Sequence, residues 1–479
     1  MTDAIVSTTS GAVRGELTAD GVARFRGIPY AAAPEGELRF AEAVPAPPWE
    51  DVRDARRPGP TAPQRHRDLP GFDLDPIVGP GWRPGPEYLT ADVWTPDPGA
   101  AGLPVLVFVH GGAFIGGTGS ASVYDGTSFA RAGAVLVTVQ YRLGIDGFLP
   151  LEGGVTNLAL RDQIAALKWV RENIEAFGGD PENITLFGES SGAVSVACLL
   201  GSPLATGLFR RAIVQSGHPD MVRGVVEAKR LARVIADELH VEATAEAFRK
   251  VSTEQLLDAQ DAVLRPGGAP DLRDALGYDR GYGLSPFLPM VGDDVLPQHP
   301  GKAIKAGAGA AVDLIVGSCR EEMRLYLVPT GVLEAVSDDQ AVASLAVSHP
   351  DPAGVLHRYG LGGERVAGEV LVDALTDLVF RDSVRDLAEN HAGRTFRYEF
   401  EWRSPLLDGR MGACHGLELP FVFDSLDVLS GPRGLLGEDA PRRLAHDLNG
   451  AWYRFATTGS PGWLEYTGED TTFHAGATY

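Results

Sequence analysis

Short runs of uninterrupted apolar residues recur along the chain, separated by polar or helix-favouring stretches. Val105 to Val109, Val135 to Val139, Ile184 to Phe187, Ala212 to Val214 and Leu314 to Val316 are runs of this kind. Each is strand-sized, and continuous rather than alternating apolar character predicts strands covered on both faces. A more alternating run spans Phe396 to Trp402. Between the second and third runs, Ile164, Leu167, Val170, Ile174 and Phe177 recur at helical spacing, which predicts a helix over 161–177. Gly178 and Gly179 stop that helix, and Asp180-Pro181 turns the chain back toward a strand. Strands alternating with helices predict an α/β protein, a mostly parallel central sheet with helices on both faces. The stretches 224–262 and 335–394, rich in Ala, Leu and charge, read as helical insertions over that sheet. Loop-like segments at 43–87 and 265–300 carry apolar and aromatic residues throughout, so neither is a linker, and 1–479 is expected to form a single domain.

Composition narrows the class. Hydrophobic residues make up 44% and charged residues 22%, as in an ordinary globular protein. The 42 basic against 64 acidic residues give a net charge of −22, which disfavours nucleic acid and anionic membrane surfaces as partners. Cys198, Cys319 and Cys414 cannot build a disulfide framework, and no pair has zinc-site spacing. The first residues, MTDAIVSTTS, lack the basic and apolar regions of a signal peptide. No apolar run approaches the roughly 20 residues of a membrane span. These features predict a cytoplasmic monomer or small homo-oligomer that acts on a small molecule without metal or organic cofactor.

The sharpest chemical signal is Gly188-Glu189-Ser190-Ser191-Gly192. A strand-like ITLF leads in and a helix-compatible AVSVACLL leads out, the setting of a nucleophile elbow. Such a turn needs small residues on both sides and lifts the hydroxyl of its third residue, Ser190, above the sheet. Ser191 is the rival, and as the next residue it would supply a backbone N–H. Serine attack on a carbonyl creates an oxyanion, and His110-Gly111-Gly112-Ala113-Phe114, directly after the run PVLVFV, offers uncovered backbone donors. A base is also required. Of the 11 histidines, His415 in MGACHGLELPFVF lies in loop-like sequence beyond a strand, whereas His349, His357, His391, His446 and His474 look like surface residues. For the orienting acid, Glu321 and Glu322 follow the run DLIVGS, and spacing does not choose between them.

Together these motifs resemble the type-B carboxylesterases, the carboxylesterase and cholinesterase branch of the α/β hydrolases. FRGIPYAAAPEGELRF, DVWTP, HGGAF, VTVQYRLGIDGFL, FGGDPENITLFGESSG, FRRAIVQSG, GACHGLELPFVF and WYRFATTGSP stand in the family's order. The resemblance implies an α/β-hydrolase fold and a serine carboxylic-ester hydrolase working through an acyl-enzyme on small to medium, relatively apolar esters. It places the nucleophile on Ser190, the acid on Glu322 and the base on His415. It puts the oxyanion hole on the N–H groups of Gly112, Ala113 and Ser191, with Ser216 and Glu418 as supporting polar residues. Members commonly carry an early disulfide, but Ala62 and Tyr88 occupy the matching stretches here. The cation-binding Trp of cholinesterases has no clear match, Trp82 being offset. Amide or carbamate hydrolysis with the same triad is the alternative activity. A non-catalytic adhesion protein of this fold is less expected, since the serine is kept.

Overall fold

The computed structural model describes residues 3–265 and 267–478. Its strands are β1 (Asp3–Thr8), β2 (Gly11–Leu17), β3 (Ala23–Pro29), β4 (Arg53–Asp54), β5 (Thr90–Thr95) and β6 (Leu103–Val109). There follow β7 (Val135–Val139), β8 (Gly179–Glu189), β9 (Arg211–Gln215), β10 (Asp313–Cys319), β11 (Thr395–Phe400) and β12 (Phe473–Ala475). All join one sheet in the order β1-β2-β3-β5-β7-β6-β8-β9-β10-β11-β12, with β4 beside β2. From β7 through β12 every pairing is parallel, and the first five strands of that order pair antiparallel.

The apolar runs became the parallel half because they are buried on both sides. Along β6, Val105, Val107 and Val109 enter one core cluster while Leu106 and Phe108 enter the other. The helix predicted from its periodicity spans Leu158–Asn173 and tightens into a short 3₁₀ turn, Ile174–Phe177. All five of its predicted apolar positions are buried in the first cluster. Gly178, at φ 89°, ends the turn in a left-handed conformation that glycine adopts without strain. The chain then pairs at once, Gly179 with Leu103, and Asp180-Pro181 falls in an irregular stretch before regular pairing resumes at Ile184.

The helical insertions appear as expected, with helices Val225–Leu239 and Thr253–Leu264 in the first and Asp338–Ala346, Ala367–Thr376 and Asp382–Asn390 in the second. One expectation fails: His391 is buried, its Nδ1 2.8 Å from Thr395 Oγ1 and its Nε2 3.1 Å from the Gly309 carbonyl oxygen. It caps the junction into β11 rather than facing solvent.

A buried ion pair fixes the segment after β7. Arg142 donates to Asp162 from Nε at 2.8 Å and Nη2 at 2.6 Å, and its backbone N–H adds a third bond at 3.0 Å. Both side chains are fully buried. Deleting one partner strands the other charge, so Asp162→Ala is expected to cost about 3–5 kcal/mol of unfolding free energy in a urea titration. A loss below about 1 kcal/mol would mean that water reaches Arg142 freely.

Candidate active site

Ser190 sits between β8 and the helix Ser191–Leu200, with φ 55° and ψ −126°. That conformation is unfavourable for a residue with a Cβ and persists only where the surroundings enforce it. Here the Ser190 N–H donates to the Gln215 carbonyl at 2.9 Å and its own carbonyl accepts from Val194 at 2.9 Å, locking strand to helix. The flanking glycines are sterically required. A Cβ at Gly192 would overlap the Val109 carbonyl oxygen, and one at Gly188 would stand 2.6 Å from the Gly192 carbonyl carbon.

The other predicted groups converge from the carboxyl ends of neighbouring strands. Glu322 follows β10 and is fully buried; its Oε1 accepts from the Cys319 N–H at 2.8 Å. His415, from the loop beyond β11, places Nδ1 2.6 Å from Glu322 Oε2. With Glu322 ionised, this contact puts the neutral imidazole's proton on Nδ1 and leaves the Nε2 lone pair free. Nε2 has no hydrogen-bond partner among the described residues and lies 3.2 Å from Glu189 Oε1. Glu321, the acid left open by spacing, faces outward to Arg324 at 2.9 Å and to Arg403.

After β6, Gly112 has φ 121° and Ala113 φ 56°, two successive residues with positive φ on the loop that lines the cavity with Ser190. The N–H groups of Gly112, Ala113 and Ser191 make no hydrogen bonds among the described residues. The loop is braced from behind, where Tyr141 Oη donates to the His110 carbonyl at 2.8 Å and its ring stacks on the His110 imidazole at 4.4 Å. Gly111, Gly112, Ala113, Ser190 and His415 all line one cavity of about 100 Å³. Its remaining wall is largely apolar, from Leu69, Leu74, Ile77, Val78 and Leu325.

The two supporting candidates differ. Glu418 is buried and accepts from the Cys319 thiol at 3.0 Å and from Gln215 Nε2 at 3.3 Å, so it lies behind Glu322 through Cys319. Ser216 is buried, but its hydroxyl has no partner among the described residues. Sequence reasoning missed Glu189, Tyr326 and Phe380. Glu189 stands in the pentapeptide with no role that the elbow itself requires. The rings of Tyr326 and Phe380 lie 5.5 and 4.8 Å from the His415 ring and were hidden in helix-like sequence.

Burial raises the Glu189 carboxyl well above the ordinary carboxylate range. Burial lowers the His415 pKa, but Glu189 and Glu322 outweigh it and the net shift is upward. The two groups therefore titrate as a pair. A base must be neutral to act, so activity should rise with pH through a limb above the ordinary histidine value of ~6.5. Glu189→Gln removes the charge facing Nε2 and should move that limb down by about one pH unit. The kcat/KM profile on p-nitrophenyl acetate checks this, and an unmoved limb would show that Glu189 carries no charge in the working range.

A strand-turn-helix with a strained serine at the carboxyl edge of a mostly parallel sheet, with a buried glutamate and a histidine arriving later in the chain, defines the α/β-hydrolase fold. Within that class the chain belongs to the carboxylesterase family, whose model matches residues 2–474. It is 37% identical to the para-nitrobenzyl esterase of Bacillus subtilis over 96% of this chain and 91% of that protein. It is 34% identical to the phenmedipham hydrolase of Pseudarthrobacter oxydans, over 96% and 91% of the two chains. Among solved structures it is similar to a PNB esterase (36% identity, TM-score 0.81, covering 97% of this chain and 94% of that one). A carboxylesterase from Geobacillus stearothermophilus is similar too (32% identity, TM-score 0.82, covering 98% and 96%).

Proposed function

We propose that this ester hydrolase works through Ser190, His415 and Glu322 and forms an acyl-enzyme. Ser190 Oγ attacks the ester carbonyl while His415 Nε2 takes its proton, and Glu322 orients the imidazole and stabilises its charged form. The N–H groups of Gly112, Ala113 and Ser191 bind the oxyanion. His415 then protonates the leaving alcohol and, with the alcohol gone, activates the water that clears the acyl group. The observation that carries this reading is the 2.6 Å His415–Glu322 contact facing the cavity that Ser190 also lines. No Ser190–His415 hydrogen bond is present, a contact that in free enzymes often closes only around substrate.

The test is covalent labelling. A fluorophosphonate should add once, on Ser190, and peptide mass spectrometry locates it. An adduct on Ser191 would overturn the assignment. The relative named phenmedipham hydrolase supports carbamate hydrolysis as a second reading, separated by comparing matched ester and carbamate substrates. We also propose that the chain is a single domain, cytoplasmic, and a monomer or small homo-oligomer. No described helix is long and apolar enough to cross a membrane.

A further inference from the structure

Arg67 is the unexplained group at the site. Its side chain lines the cavity alongside Ser190, Gly112 and His415. A guanidinium offers five N–H donors, yet among the described residues Arg67 makes one hydrogen bond, from Nη1 to the Gly112 carbonyl at 3.3 Å. No carboxylate pairs with it among the described residues, in a chain with 64 of them. Asp68, the next residue, lies on the same cavity but turns to His66 at 3.4 Å with its side chain 83% exposed. Desolvation lowers the Arg67 pKa; the Tyr326 phenol works against that shift, and no carboxylate does.

Arg67 is half-buried, so its unpaired guanidinium faces the water of the cavity or an anion that displaces it. Bracing Gly112 uses one donor and leaves a planar fork free, the geometry that fits a carboxylate. Apart from Asp68, Glu189, Ser190, His415 and the tyrosines Tyr124 and Tyr326, the wall is apolar, and Arg67 is its one guanidinium. We propose that Arg67 binds a carboxylate carried by the substrate, so that the preferred esters have an apolar stem and an anionic end on either the acyl or the alcohol side. This rests on the ester hydrolysis proposed at Ser190 and narrows its substrate class.

Two matched pairs test it. On the acyl side, p-nitrophenyl hydrogen glutarate is compared with its neutral methyl ester; on the alcohol side, 4-acetoxybenzoate is compared with methyl 4-acetoxybenzoate. In at least one pair, the ratio of kcat/KM for the anionic over the neutral ester should fall about tenfold from wild type to Arg67→Met, chiefly through KM. Arg67→Lys, which keeps the charge but loses the fork, should fall between them. The arm that responds assigns the side. As a measurement on the unaltered protein, free glutarate should inhibit p-nitrophenyl acetate hydrolysis competitively and more strongly than glutaramide. Ratios unchanged by Arg67→Met in both pairs, or equal inhibition by glutarate and glutaramide, would overturn the proposal and leave Arg67 as a brace for Gly112. A wild-type protein inactive on p-nitrophenyl acetate would instead remove the esterase reading beneath it.

Discussion

Ser190→Ala is expected to lower kcat on p-nitrophenyl acetate by roughly 10⁴- to 10⁶-fold while the protein stays folded. The size follows from what is removed. The hydroxyl is the only group at the elbow apex that can form the acyl-enzyme, and the rate left over comes from the oxyanion donors and binding alone. His415→Ala should give a loss of the same order, and the double variant should be scarcely worse than either single one, because the two act as a unit. Glu322→Gln should cost about 10⁴-fold, since an amide can hold the wrong imidazole tautomer. Ser191→Ala keeps its backbone N–H and should stay within about tenfold of wild type. Stability is not expected to fall in Ser190→Ala, because the strained backbone, fixed by the Gln215 and Val194 hydrogen bonds, is indifferent to the hydroxyl. Initial rates and a thermal melt on each variant decide the matter. Near-full activity in Ser190→Ala would sink the assignment.

The second large effect is expected from a single methyl group. A Cβ on Gly112 would overlap the Gly116 carbonyl oxygen, and its φ of 121° is one that alanine rarely adopts. Gly112→Ala must therefore reshape the loop that aims the Gly112 and Ala113 donors. Losing one oxyanion donor costs about 10²- to 10³-fold in kcat, and misaiming two should reach the upper end. KM for a small ester should change little, because the ground-state carbonyl is held weakly. Gly207→Ala is the comparison, since a Cβ there meets nothing within 4 Å although its φ is also positive. If Gly112→Ala keeps its kcat, the oxyanion is stabilised elsewhere.

What the sequence showed in advance follows from which signals are local. The parallel strands were legible because burial on both faces leaves continuous Val, Ile and Leu runs. β1 to β3 were not: β2, for one, has Gly11, Arg14, Gly15 and Glu16 among its seven residues, so neither an apolar run nor a clean apolar alternation marks it. β12 has only three residues, too few for any period. The elbow and the glycine loop were legible because tight backbone geometry demands small residues at fixed spacing. The choice of Glu322 over Glu321 needed the family resemblance. Arg324, three residues on, is the partner that draws Glu321 outward, and that clue was present in the sequence. Arg67 and Glu189 gave no local sign. Their surroundings are assembled from distant segments, and an unpaired charge cannot be seen before its neighbours are known.

The segment over the pocket is fastened at 64 and 65 in two different ways. Gln64 exchanges hydrogen bonds with buried Gly117, donating to its carbonyl at 2.9 Å and accepting from its N–H at 2.8 Å. Arg65 reaches three carboxylates on one face of the helix Thr253–Leu264, those of Glu254, Asp258 and Asp261, at 2.8, 2.5 and 3.1 Å. The two sets of contacts respond to different surroundings. Screening at high ionic strength loosens the partly exposed charge contacts together, whereas the buried amide exchange is untouched. With Ala62 and Tyr88 in the stretches where the resemblance would put a disulfide, the adjustable part of this fastening answers to the saltiness of the medium and not to its redox potential.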